Sequence, residues 1–307
     1  MIYLKILFTS VCVVTIFTGC VSKDTKQLLS QYAIKSSEAQ KNIMSTYKDT
    51  LDNNQRALYY KAVRDGATIN DLQAIKIDYS GQIKLLADLV SFSESMAILT
   101  GDSFNNKVDD YTSELYRSAK NLSENEAIQN NTSKEDLQLF ATLVDGAFRS
   151  YLEYERTKKL KELILLSDRW VQASIDSLDK DLEQWKNLLK RSIHEQKDIK
   201  IMILNYPYTY CQVKNPDKKC IPLSETFNTK VNMYEDVALQ EKRLDNIDEE
   251  FKALSNSITI MSKLHKKVIE SLKRDDINKE ELSRIFNDLK EQVDSINKFR
   301  NDVKEEK

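Results

Sequence analysis

Glycine and proline are scarce in this chain, which has five glycines and three prolines in 307 residues. Proteins built of β-strands need turn residues about every 8–12 positions, and this sequence does not supply them. Leu, Ile, Lys, Glu, Asp and Ser are abundant instead, a composition that favours long helices. The sequence therefore predicts an all-α fold.

The chain also lacks an excess of charge of either sign, since its formal net charge is −2. Removal of residues 1–19, whose only charged residue is Lys5, leaves 45 basic and 48 acidic residues and a net charge of −3. A nucleic-acid-binding surface needs a clustered basic excess. We therefore expect no nucleic-acid partner.

Motifs of catalysis and cofactor binding are missing as well. The sequence has no Gly-rich phosphate loop, no His-Glu-x-x-His helix and no Gly-x-Ser-x-Gly elbow. Its two histidines, His194 and His265, have no Cys or carboxylate cluster beside them at metal-ligand spacing. The carboxylates alternate with lysines, a pattern typical of solvated, charge-paired helix faces. We expect no metal, no cofactor, no small-molecule substrate and no enzymatic activity.

The N-terminus carries a short apolar run. Met1–Lys5 holds one positive charge, and Ile6–Thr18 is almost wholly apolar over 13 residues. A membrane span needs about 20 apolar residues, and no later stretch of the chain approaches that length. A charged start, an apolar segment and a small residue before Cys20 are the parts of a secretory signal.

The tetrapeptide Phe17-Thr18-Gly19-Cys20 resembles the lipobox of bacterial lipoproteins, with Phe17 where Leu is usual. The resemblance implies that residues 1–19 are removed as a signal peptide and that Cys20 is acylated, by palmitate among other chains, and tethers the protein to a bilayer. Val21, instead of Asp, after the cysteine favours the periplasmic face of the outer membrane. The alternative is an ordinary secretory signal with a chance cysteine.

Two cysteines remain in the mature chain, because Cys12 leaves with the signal and Cys20 carries lipid. These are Cys211 and Cys220, nine positions apart. An even pair in an exported protein predicts a disulfide bond. Zinc is the competing interpretation, and it would need further ligands nearby.

Hydrophobic spacing divides the mature chain into four parts. Residues 20–26 form a lipidated N-terminus with a short linker, residues 27–156 a helical bundle, residues 157–275 an antiparallel helical hairpin, and residues 276–307 a C-terminal helix that packs on it. In the bundle the pattern predicts helices over about 24–64, 71–99 and 103–122, and one opening at Ser133.

The hairpin is predicted from a narrow apolar seam with alternating steps of three and four residues, as in a coiled coil. The seam runs from Val171 to Leu189 and returns from Leu244 to Leu272. Trp170, Trp185 and His265 lie on or beside it and are predicted as core residues, with a pH-sensing role as the alternative for His265. His194 falls off the seam and is predicted to be solvated.

The hairpin tip, residues 205–223, contains all three prolines and both mature cysteines. Tyrosines and lysines make it a candidate contact surface for a protein partner, since aromatics are favoured at interfaces. The candidate contact residues are Tyr206, Tyr208, Tyr210, Lys214, Lys218 and Lys219. The alternative is a plug that covers the apolar end of the hairpin.

These features together predict a membrane-anchored periplasmic lipoprotein that acts as a non-catalytic scaffold or binding module on another envelope protein. One alternative is an exclusion or immunity lipoprotein that blocks a phage receptor or a toxin. The other is an enzyme whose site assembles from scattered carboxylates, which would need a deep cleft where carboxylates of raised pKa converge.

Overall fold

The computed structural model describes residues 2–65, 80–101, 108–125, 134–149, 153–205 and 227–301, with the side chains of the first helix described from Lys23 onward. Among these residues there are seven helices and no strand, so the prediction of an all-α fold is confirmed. The helices are α1 (Ile2–Asp65), α2 (Ser80–Thr100), α3 (Val108–Glu124), α4 (Lys134–Phe148), α5 (Glu153–Asn205), α6 (Phe227–Arg274) and α7 (Lys279–Asn301). The finer prediction of a bundle followed by a hairpin stays a prediction.

Helix α1 begins at Ile2, well before the predicted start near Asp24. It includes the residues predicted as leader and linker. Between Ile2 and Asp65 the only glycine is Gly19 and there is no proline, so nothing in the sequence interrupts the backbone hydrogen bonds. Within the part of the chain that is described, no helix combines the length and the apolar character needed to cross a membrane.

The chain forms two compact units that are not consecutive in sequence. The first unit contains Met1–Lys41, Lys84–Asp179 and Asn256–Val293, and the second contains Asn42–Ile83, Lys180–Ser255 and Asp294–Lys307. Helices α1, α2, α5, α6 and α7 each contribute residues to both units.

The first unit has an aromatic and aliphatic core. Phe92 of α2, Phe140 of α4 and Trp170 of α5 form a row, with ring centroids 6.3 and 5.5 Å apart. Helix α2 buries an apolar face formed by Leu85, Leu86, Leu89, Val90, Phe92, Met96 and Leu99. Helices α5 and α6 lie antiparallel here, since Asp168 contacts His265 and the later Gln172 bonds the earlier Ser262 at 2.9 Å.

The second unit packs α1, α5 and α6 around a stacked aromatic pair. Tyr47 and Trp185 lie 4.1 Å apart between ring centroids, with an interplanar angle of 15°. Ion pairs join α5 to α6 in antiparallel order: Lys190 to Asp248, Lys197 to Glu241 and Lys200 to Asp236. Trp185 is buried, as is Trp170 in the first unit, which confirms both as core residues.

Local signals explain several helix ends. Asn278 caps α7 by accepting a hydrogen bond from the backbone N–H of Glu281 at 3.1 Å. Helix α6 is followed by Asp275 in the left-handed conformation, with φ 53°, and the N–H of Asp276 donates to Ser271 O. Gly101 directly follows the last residue of α2.

Candidate functional site

A polar cleft with a volume of about 500 Å³ is lined entirely by residues of the second unit. One face of α1 forms a wall of this second-unit cleft, because its polar residues recur every three or four positions and therefore share a helix face. These wall residues are Ser45, Lys48, Asp49, Asp52, Asn53, Arg56 and Tyr60. Helices α5 and α6 supply most of the rest, and α7 adds Arg300.

Arg243 of α6 is one of two buried cations that line the cleft. Its guanidinium donates to Asp49 Oδ2 at 3.0 Å and forms an ion pair with Glu250 Oε2 at 2.6 Å, and its side chain is 7% exposed. Thr46 donates to the other carboxylate oxygen of Glu250 at 3.3 Å. Burial raises the pKa of Glu250 above its ordinary value, and the charge of Arg243 opposes that rise.

Lys200 of α5 is a second buried cation. Its ammonium nitrogen lies 3.1 Å from Asp236 Oδ2 and 5.2 Å from the ring centroid of Tyr60. The carboxylate and the aromatic face both stabilise the positive charge. Because the Lys200 side chain is only 5% exposed, its position in the cleft is fixed by these contacts.

Amide side chains complete the floor of the cleft. Gln196 is buried and donates from Nε2 to the backbone oxygen of Asn53 at 2.8 Å. Gln240 donates to Gln196 Oε1 at the long distance of 3.5 Å. The Oε1 atom of Gln240 is buried and has no hydrogen-bond partner among the described residues.

The first unit holds a different polar cluster, formed by Tyr32, His265 and Asp168. Tyr32 Oη lies 2.6 Å from His265 Nδ1, and His265 Nε2 lies 3.1 Å from Asp168 Oδ1. The hydrogen bond from His265 lowers the pKa of Asp168, whereas burial raises the pKa of Tyr32 far above its ordinary value. An ionised Asp168 can only accept, so Nε2 of His265 donates to it, and Tyr32 Oη and His265 Nδ1 share the second hydrogen bond.

Tyr32, His265 and Asp168 follow one another as the groups of a proton relay do, but the location of the cluster indicates a structural role. Tyr32 and His265 are buried and neither lines the second-unit cleft. Only Asp168 and the neighbouring Lys273, 3.6 Å away, reach the solvent. His265 is thus a hydrogen-bonded core residue, as predicted, and His194 is exposed, as predicted.

Carboxyl groups with raised pKa occur at two positions in the described part of the chain, Glu250 and Asp88. Burial is the main cause at both. Asp88 accepts a hydrogen bond from Asn121 at 2.8 Å, and Glu250 is held by Arg243. Neither carboxyl is among the residues that line the cleft.

Most residues singled out from the sequence lie outside the described part of the chain. These are Tyr206, Tyr208, Tyr210, Cys211, Lys214, Lys218, Lys219 and Cys220, so the disulfide bond and the tip contacts stay predictions. Cys20 falls within α1, but its side chain is not described. Across the described ranges, no group of three or more His, Cys, Asp or Glu side chains has the geometry of a metal site.

Sequence reasoning missed the cleft and its buried charges. It treated the charged residues of these helices as solvated faces, yet Arg243 and Glu250 are buried. Both flank the predicted seam positions Leu244 and Phe251, so they lie at the edge of the helix contact. The signal that could have found the cleft is the row of polar residues on α1 at steps of three and four.

Comparison of the chain with models of protein families, with curated proteins and with solved structures found no match.

Proposed function

We propose that this chain is a lipid-anchored protein on the periplasmic face of the bacterial outer membrane. Its helical body acts as a non-catalytic binding module for another envelope protein. The observation that carries the proposal is the apolar segment ending in Phe17-Thr18-Gly19-Cys20. Acyl chains on Cys20 would hold the helical body at a membrane surface, since two long chains anchor stably where one does not.

A binding role is supported by exposed aromatic side chains on both units. Tyr116 and Tyr154 of the first unit are 38% and 51% exposed, and Tyr59 and Tyr234 of the second are 49% and 59% exposed. Tyrosine is enriched at protein interfaces because its ring is apolar and its hydroxyl still finds a hydrogen bond.

The partners of the buried titratable groups also favour a binding role over catalysis. Glu250, Asp88 and the Tyr32–His265–Asp168 cluster each hold partners within the protein. A catalytic carboxyl of raised pKa would instead be aimed into the cleft, within reach of a substrate.

Site-specific photocrosslinking in intact cells tests the proposal. A photoreactive residue would replace Tyr59, Tyr116, Tyr154 or Tyr234 in turn, with Tyr208 as a probe of the predicted tip contact and the exposed Leu139 as a non-aromatic control. We expect at least one tyrosine position, but not Leu139, to give a discrete crosslinked protein.

The same experiment with Cys20→Ala tests the anchor. This variant should lose its membrane association and most of the crosslink, because the partner and the body would no longer share a surface. Absence of a discrete product at every position, or an undiminished crosslink from Cys20→Ala, would contradict the proposal.

A further inference from the structure

The second-unit cleft has a floor whose polar groups are held in place before any ligand arrives. Gln196, Lys200 and Arg243 are at most 6% exposed, and each is fixed by contacts to residues of the same unit. Fixed, partly desolvated donors bind a ligand more tightly than mobile ones, because the ordering cost is already met in the free protein.

The lining of the cleft carries more positive than negative charge. Five cations, Lys48, Arg56, Lys200, Arg243 and Arg300, line it against three carboxylates, Asp49, Asp52 and Asp236. The lining therefore has a formal charge of +2 in a chain whose net charge is −2. A concave surface with one prevailing sign concentrates ions of the opposite sign.

Three of these cations have no carboxylate partner among the described residues. Lys48 and Arg56 are exposed on the α1 wall, and Arg300 donates only to the hydroxyl of Ser45. Asp52 lies between Lys48 and Arg56 on the same helix face and forms no ion pair with a described residue. The unneutralised charge therefore lies along the α1 wall and at Arg300.

The side-chain amide of Gln240 would add a directional hydrogen bond to a ligand. The buried Oε1 of Gln240 has no partner among the described residues, and its Nε2 reaches Gln196 only at 3.5 Å. Leaving a buried polar atom unpaired destabilises the free protein. Gln240 lines the cleft, so a turn of its side chain would bring this atom to a ligand that also carries a hydroxyl or amide group.

We propose that the second-unit cleft binds a small molecule with at least two oxyanion groups, carboxylate or phosphate. The volume of about 500 Å³ is in the range of small-molecule sites. Lys48 and Arg56 are eight residues apart, a rise of about 12 Å along the helix, so they would bind separate anionic groups. Guanidinium groups suit carboxylate and phosphate equally well. This site does not depend on the anchor or on the protein partner proposed above.

Calorimetric titration of the full-length protein, purified in a neutral detergent at low salt, tests this site. Citrate is the carboxylate probe, fructose 1,6-bisphosphate the phosphate probe and sorbitol the uncharged control. We expect saturable one-site binding of at least one anion and no binding of sorbitol. Binding of citrate alone identifies a carboxylate ligand, and binding of the bisphosphate alone identifies a phosphate ligand.

Two matched double variants distinguish binding in this cleft from non-specific attraction of anions to the protein surface. Lys48→Gln combined with Arg56→Gln removes two exposed charges of the wall, whereas Arg191→Gln combined with Lys252→Gln removes two exposed charges elsewhere in the second unit. The first pair should weaken binding about tenfold or more, and the second by less than about twofold. Equal losses in both variants, or no binding of either anion, would overturn the proposal. Saturable binding of a hexaglutamate peptide alone would also overturn it, in favour of an acidic peptide ligand.

Discussion

The two units of this protein bury different kinds of side chains. The first unit is built around Phe92, Phe140 and Trp170, with a buried hydrogen-bonded pair, Tyr32 and His265. The second unit buries Arg243, Glu250 and Lys200 beneath an open cleft. Apolar burial stabilises a fold directly, whereas a buried ion pair recovers its desolvation cost only when it is fully bonded. The second unit thus keeps two buried cations, Arg243 and Lys200, in the lining of its cleft, where a ligand could contact them, whereas Tyr32 and His265 of the first unit bond each other in the core.

The largest effect is expected from Arg243→Met, which leaves Glu250 buried without its cation. Breaking a buried pair on one side costs about 3–5 kcal/mol of the free energy of unfolding, measurable by denaturant titration. Lys197→Met is the control, because its partner Glu241 is 60% exposed. Its cost should stay below about 1 kcal/mol.

A second substitution distinguishes charge burial from packing in this pair. Arg243→Met combined with Glu250→Leu removes both charges and keeps side chains of similar volume, so it should recover most of the lost stability. If the double variant were as unstable as Arg243→Met alone, the cost would come from packing, and the contrast between the two units would disappear.

In the first unit, Phe140→Ala should cost about 3 kcal/mol of the free energy of unfolding, because it leaves a cavity beside Phe92 and Trp170. The loss should not depend on pH between about 5 and 8, since no titratable group takes part. A clear pH dependence in that range would show that the aromatic row is coupled to charged groups, and the first unit would then resemble the second.

The smallest effect is expected from Tyr32→Phe, which removes the hydroxyl that is hydrogen-bonded to His265 Nδ1 in the core and should cost about 1–2 kcal/mol near neutral pH. Burial raises the pKa of Tyr32 above its ordinary value, so above about pH 10 the unfolded chain loses this proton and the folded protein keeps it. Stability of the wild type should therefore fall with rising pH more steeply than that of the variant, by up to about 1.4 kcal/mol per pH unit. Parallel alkaline curves for the two proteins would contradict a buried, neutral Tyr32.

Much of the fold could be predicted from the sequence because it depends on short-range periodicity. The apolar face of α2, the burial of Trp170 and Trp185, and the cap at Asn278 all follow from spacing within one helix. The charged network could not be predicted in this way. Arg243 meets Asp49 across 194 positions, and Glu250 meets Thr46 across 204. No local pattern shows that a charged residue beside a seam will find such a partner.

The proposed role at the bacterial envelope depends above all on a lipid anchor at Cys20, and mass spectrometry of the N-terminal peptide from membrane-bound protein tests that anchor most directly. We predict a chain that begins at Cys20, lacks residues 1–19 and carries the added mass of acyl chains on that cysteine. A chain that still begins at Met1, with Cys20 unmodified, would contradict the anchor and the envelope role together.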